Sequence, residues 1–154
     1  MDNTMNKLLI ILASIVVLIV IAFFILGVVS KKGEALGLKD GHLQACTSTD
    51  NCVISEVVDG NENTVEPFVY TGEKADFFSK VQDAVTTLGG KITTAEGDYI
   101  AATFTSGIFG FVDDVELRVT DDNLLHFRSA SRVGRKDFGA NKKRVDALKA
   151  VLSK

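Results

Sequence analysis

The residues able to do chemistry gather late in this 154-residue chain. Residues 127–144 read FRSASRVGRKDFGANKKR, which brings Arg128, Arg132, Arg135, Lys136, Lys142, Lys143 and Arg144 into one short stretch. Guanidinium forks and ammonium groups at that density suit a phosphate or a carboxylate. Arg128, Arg132, Arg135, Lys136, Lys142 and Lys143 are therefore the candidate anion-binding residues. Ser129 and Ser131 stand in the same run, but a serine nucleophile needs a neighbouring base and a positioned acid. The two histidines are His42 and His126. His126 falls on a polar strand face near Arg118, where a surface histidine accounts for it, so no catalytic residue is expected.

The two cysteines, Cys46 and Cys52, bracket five residues (CTSTDNC). With His42 and His126 they could supply four zinc ligands. The spacing departs, however, from CxxC zinc patterns and from the two-residue spacing of thioredoxin-type centres. A local disulfide is the simpler reading, with no metal and no cofactor. Such a bond persists in an oxidising compartment. For so short a loop the chain-entropy picture makes it worth roughly 2 kcal/mol.

Charge is unevenly spread. Residues 40–117 hold 14 Asp+Glu against 3 Lys+Arg, whereas residues 118–154 hold 10 Lys+Arg against 4 Asp+Glu. Either the two parts neutralise each other within one fold, or the basic part meets an anionic partner outside it. Arg128 and Arg132 lie four apart, so on a strand they share a face, and Glu116 and Asp114 of a partner strand share it too. Asp113, Asp114, Glu116, Arg128 and Arg132 are thus expected as structural ion pairs. Gly134 and Gly139 open loop conformations closed to residues with a Cβ. Asp137 is expected to accept loop amides in an Asx turn, and Asn141 to cap the last helix. The functional alternative uses the same parts: amides at that helix's start, with Arg132, Arg135, Lys142 and Lys143, would hold a phosphate or carboxylate. Nucleic acid is not an expected partner, because the basic residues lack interleaved aromatics.

The elements that must position these residues begin with an apolar run. Residues 8–29, opening at Leu8 and closing at Val29, contain no charged side chain. As a helix they span about 33 Å, against about 30 Å of bilayer hydrocarbon. The run is too long for a signal peptide, and Val28-Val29-Ser30 before Lys31-Lys32 is a poor cleavage site. The expectation is a single-pass anchor holding the chain in a lipid bilayer. Orientation rests on opposed signals: Lys31, Lys32 and Lys39 after the run lean towards a cytoplasmic domain, whereas the disulfide leans outward. The reading is an extracytoplasmic domain, with the cytoplasmic side as the alternative. Residues 1–30 are then tail and anchor, 31–40 a polar juxtamembrane linker, and 41–154 a single domain.

Within that domain residues 41–66 read mostly as loop, with a short strand at 53–58. A second strand is expected at 67–70. Phe77, Phe78, Val81, Val85 and Leu88 fall at helical spacing before Gly89-Gly90, which predicts a helix over 74–88. Strands at 91–95 and 99–105 flank a Glu96-Gly97-Asp98 turn. Further strands at 111–119 and 124–131 flank Asp121-Asp122-Asn123. A three-residue loop there sets Val119 opposite Leu125, Leu117 opposite Phe127, and Glu116 opposite Arg128, and a one-residue slip would mix the faces. Val145, Leu148 and Leu152 then make the buried stripe of a final helix. The order predicts an α+β fold: one transmembrane helix, then an antiparallel sheet with two helices packed on one face.

Three ordered motifs resemble the domain-of-unknown-function family 1499. They are the run 127–144, similar to that family's RSxSRxGxxDxGxNxxR; residues 109–115 (FGFVDDV), similar to its FGFxDDxE; and the cysteine loop with Asn51 before Cys52. The resemblance covers about residues 41–152, and departs from the family where Thr47-Ser48-Thr49-Asp50 replace a loop that commonly contains Pro. It implies an often membrane-attached protein of bacterial or plastid type, and brings no established chemistry. The functional expectation is a non-enzymatic accessory or binding module of the cell envelope that recognises an anionic ligand or an envelope protein partner through its basic loop. The alternatives are an envelope enzyme, using Ser129 or Ser131 or a metal at the cysteine loop, and a purely structural envelope protein.

Overall fold

A computed structural model describes residues 3–48, 50–56 and 63–154. Along them run α1 (Asn3–Ser30), β1 (Leu38–Lys39), β2 (His42–Leu43), β3 (Cys52–Ile54), β4 (Phe68–Val69), α2 (Lys74–Thr87), β5 (Lys91–Glu96), β6 (Tyr99–Thr105), β7 (Val112–Val119), β8 (Leu124–Ser131) and α3 (Ala140–Leu152). The strand expected at 53–58 is β3; residues 57 and 58 lie outside the described residues.

The most regular alternation in the sequence builds the sheet's centre. Val119 pairs with Leu125, Leu117 with Phe127 and Glu116 with Arg128, the expected register. Val115, Leu117, Val119, Leu125 and Phe127 are fully buried on one face. Thr120 N donates to Leu124 O at 2.9 Å, closing the three-residue loop. Asn123 takes the left-handed position (φ +63°), which asparagine tolerates better than most residues. The β5–β6 hairpin is tighter than expected. Glu96 pairs with Tyr99 and belongs to the strand, so the turn is Gly97-Asp98, with Gly97 at φ +62°. Among the described residues the antiparallel sheet runs β3-β8-β7-β6-β5, and β4 also pairs with β8.

Both domain helices cover the apolar face. α2 buries Phe77, Val81, Ala84 and Val85 at helical spacing, and the Phe77 ring stacks on Tyr70 with centroids 4.0 Å apart. α3 buries Val145, Leu148 and Leu152. The helix stripes and the strand alternation thus converge on one core.

One expectation is corrected. Asn141 is not the cap of α3; that position is Gly139, in the left-handed region (φ +78°). Asp137 supplies the capping oxygens, accepting from Gly139 N and Asn141 N at 2.9 Å each, while the Asn141 side chain turns inward and is fully buried. The polar segment after α1 makes contacts of its own. The β1–β2 hairpin lies on the polar face of the sheet, where Gly37 N donates to Glu116 Oε1 (2.8 Å) and Leu43 N to Glu56 Oε2 (2.7 Å).

Phe127→Ala should remove about 3–5 kcal/mol of stability, because the ring is fully enclosed against Leu117 and both helices. Denaturant unfolding of the detergent-solubilised protein checks it.

Candidate functional site

Period-two alternation sends the odd residues of β8 towards the helices and the even ones to the opposite face. Arg128 and Arg132 accordingly meet Glu116 and Asp114 of β7. Arg132 grips Asp114 with two bonds, Nε to Oδ2 at 2.8 Å and Nη2 to Oδ1 at 2.6 Å, and this hydrogen bonding raises the arginine's already high pKa. Arg128 reaches Glu116 through Nη1 alone, at 2.6 Å. A fork is denied it because the other oxygen of Glu116 accepts from Tyr99 Oη (2.7 Å) and Gly37 N (2.8 Å). Glu116 is fully buried. Burial, with the hydrogen bond to that carboxylate next, pushes the Tyr99 phenol far above its ordinary pKa.

The second acidic node was invisible to motif reading. Glu56 is buried and accepts from Arg118 Nε at 2.6 Å as well as from Leu43 N. His42 stands exposed beside it, Nδ1 at 3.4 Å from Oε2. On the helix side Arg144 reaches Asp113 at 2.8 Å and lies over the Phe104 ring. Asp113, Asp114, Glu116, Arg128 and Arg132 are thus all engaged within the fold, and Arg144 joins them.

The candidate nucleophiles are engaged too. Ser129 Oγ donates to Asn141 Oδ1 at 2.6 Å and accepts from Arg144 Nη1 at 3.1 Å. Ser131 Oγ accepts from Asn141 Nδ2 at 3.0 Å. These groups face the helices, whereas His126 occupies the opposite face, its Nδ1 3.2 Å from Ser55 Oγ. Burial lowers the His126 pKa. The sheet therefore separates each serine from the histidine that would have to activate it. Cys46 and Cys52 are joined as a disulfide, and among the described residues no group of three His, Cys, Asp or Glu could hold a metal.

What is left of the basic set sits in the β8–α3 loop and the first turn of α3. Arg135, Lys136, Lys142 and Lys143 are exposed. Of these only Lys142 has a carboxylate partner among the described residues, Asp146 at 2.8 Å on the helix surface. Phe138 projects between them, 90% exposed and at φ +53°. Of the amides at the start of α3, Gly139 N and Asn141 N are taken by the Asp137 carboxylate and Ala140 N by the Asp137 carbonyl, which leaves the exposed side chains as the principal anion-facing groups. This basic cluster lies at the end of the sheet where α1 joins it. Arg132 Nη1 donates to Ser30 O at 3.2 Å, and Val112 N to Ser30 Oγ at 3.0 Å. At the same end a cleft of about 550 Å³ opens between the segment after α1 and the sheet, with Lys31, Lys91 and Arg132 among its lining residues.

An α+β module with a long apolar helix at its N-terminal side and a basic surface beside that helix is the class of protein these features define. A family model described as "Protein of unknown function (DUF1499)" matches residues 42–152, and the chain belongs to that family. No curated protein matches the chain.

Glu116→Gln should cost about 3–5 kcal/mol, since it leaves the Arg128 guanidinium buried without a countercharge. Chemical denaturation of the variant beside the wild type tests this, with Lys142→Gln, on an exposed pair, expected within about 0.5 kcal/mol of wild type.

Proposed function

We propose that this protein is a single-pass membrane protein of the cell envelope whose domain stands on the oxidising, extracytoplasmic side. There it binds anionic lipid headgroups through its basic, helix-proximal end, as a binding module rather than an enzyme. The anchor reading is supported by α1, whose most apolar 18-residue window has mean hydropathy 3.5 and no buried residue. The compartment reading is supported by the Cys46–Cys52 disulfide.

The headgroup reading is carried by one observation: the exposed cations Arg135, Lys136, Lys142 and Lys143 lie at the end of the sheet from which α1 departs. A bilayer holding α1 presents its headgroups at that end. Each Lys or Arg near an anionic membrane surface contributes about 1 kcal/mol, screened by salt. Phe138, exposed among these cations, adds an aromatic ring of the kind that settles at the headgroup level.

Two measurements test this. Binding of a short-chain fluorescent phosphatidylglycerol to the detergent-solubilised full-length protein should weaken with added salt. It should fall about tenfold or more in the Arg135→Glu/Lys142→Glu double variant, while a phosphatidylcholine analogue is unaffected; equal affinity of variant and wild type for the anionic lipid sinks the headgroup reading. On intact cells, a membrane-impermeant maleimide should label Cys46 and Cys52 only after reduction. Labelling without reduction removes the disulfide, and protection after reduction, reversed by permeabilising the membrane, puts the domain on the cytoplasmic side.

A further inference from the structure

We propose that the loop joining β6 to β7 is a second membrane contact, an apolar wedge seated among the lipid acyl chains beside the last two turns of α1. The inference rests on the reading that α1 spans the bilayer. Residues 106–111 read SGIFGF and carry no charge. The Phe109 ring lies 5.2 Å from Phe23 and 5.2 Å from Phe24, and the Phe111 ring 6.2 Å from Phe23. Phe23 precedes Val29, where the apolar run closes, by six residues, which is about 9 Å of helix. A ring packed on Phe23 shares its depth, so this loop cannot stand in water while that turn of the helix stands in lipid.

The helix is shaped to receive the loop. Gly27 is buried in α1, and a Cβ there would collide with the Phe109 carbonyl, so glycine is what lets the two backbones touch. At the tip Ile108 is 77% exposed, a branched apolar side chain that the described residues leave largely uncovered. Three of the loop's amides are paired within it. Ser106 N donates to Phe111 O (2.8 Å) and Gly110 N to Ser106 O (3.2 Å). Phe111 N donates to Ser106 Oγ (2.9 Å). The occupant of this surface is the hydrocarbon of the bilayer that holds α1. It needs no anionic lipid, which separates it from the contact assigned to the basic loop.

Because Cys46 and Cys52 are paired, single added cysteines can carry an environment-sensitive nitrobenzoxadiazole label in the full-length protein. Ile108→Cys, Leu18→Cys and Glu96→Cys are each reconstituted in vesicles of phosphatidylcholine alone. All three positions are exposed on the protein, so labelling removes no core contact. The labels at 18 and 108 should emit to the blue and be quenched several-fold by lipids bearing a nitroxide on the acyl chain. The label at 96, on the opposite end of the sheet, should emit as in water and be quenched by iodide. An Ile108 label that behaves like the Glu96 label while the Leu18 label is quenched by lipid overturns the wedge and leaves the anchor standing. A Leu18 label in water overturns both.

Discussion

The buried carboxylate of Glu116 is the interaction on which the arrangement of this protein depends. An antiparallel sheet covered by helices on one face commonly leaves the other to water. Here that other face carries Glu116 and Arg128 with almost no exposure, and removing two charges from water is costly unless every lone pair finds a donor. Three donors converge on Glu116: the Arg128 guanidinium, the Tyr99 hydroxyl and the Gly37 amide. The last comes from the segment between α1 and the domain. Satisfying one buried carboxylate therefore lays that segment across the sheet. Glu56 repeats the device two strands away, at the end of β3, drawing Leu43 N and Arg118 to itself.

This explains how the basic residues divide. Those on or next to the strands project at a fixed spacing onto a sheet face that also carries carboxylates. Arg128 meets Glu116 directly opposite on β7, Arg132 meets Asp114 of the same strand, Arg118 reaches across β8 to Glu56, and Arg144 is reached from β7 across the α3 interface. Residues of the β8–α3 loop have no strand opposite. Arg135 and Lys136 consequently stay in solvent, as Lys143 does in the first turn of α3, and Asp137, the acidic residue within that loop, is committed to the start of α3. The division between bracing cations and available cations is a consequence of strand pairing.

The same logic marks what could be read from the sequence. The β7–β8 register was legible because side chains alternate with a period of two, and a slip would have exposed Leu117 and Phe127 while burying their polar neighbours. α2 was legible from the spacing of Phe77, Val81 and Val85. Glu56 was not, since its partner Arg118 lies 62 residues away and no periodicity links them. Asn141 was misjudged for a related reason. An asparagine just before an amphipathic run resembles a cap, but Ser129, Ser131 and the Asn51 carbonyl, which claim its side chain, are distant in sequence. The cap passed to Asp137, whose oxygens reach the first amides because Phe138 and Gly139 both adopt positive φ. The density of cations in residues 127–144 was legible, but not which of them the fold consumes.

Gly27 shows how a single missing side chain relates a helix to a sheet. Within an apolar run a glycine lowers helix propensity and otherwise goes unremarked. In the structure it is where the Phe109 carbonyl touches α1, one turn before Ser30 receives the Val112 amide and the Arg132 guanidinium. Contacts at 23, 24, 27 and 30 fall on one side of the helix, so they set its rotation about its own axis as well as its position. The face carrying Gly27 and Ser30 meets the β6–β7 loop, and the remaining apolar side chains of α1 point outward. A helix held this way transmits its orientation to the strands through rigid contacts. The end of the sheet bearing Arg135, Lys136 and Phe138 is thereby oriented relative to α1 by packing rather than by the length of a flexible connection.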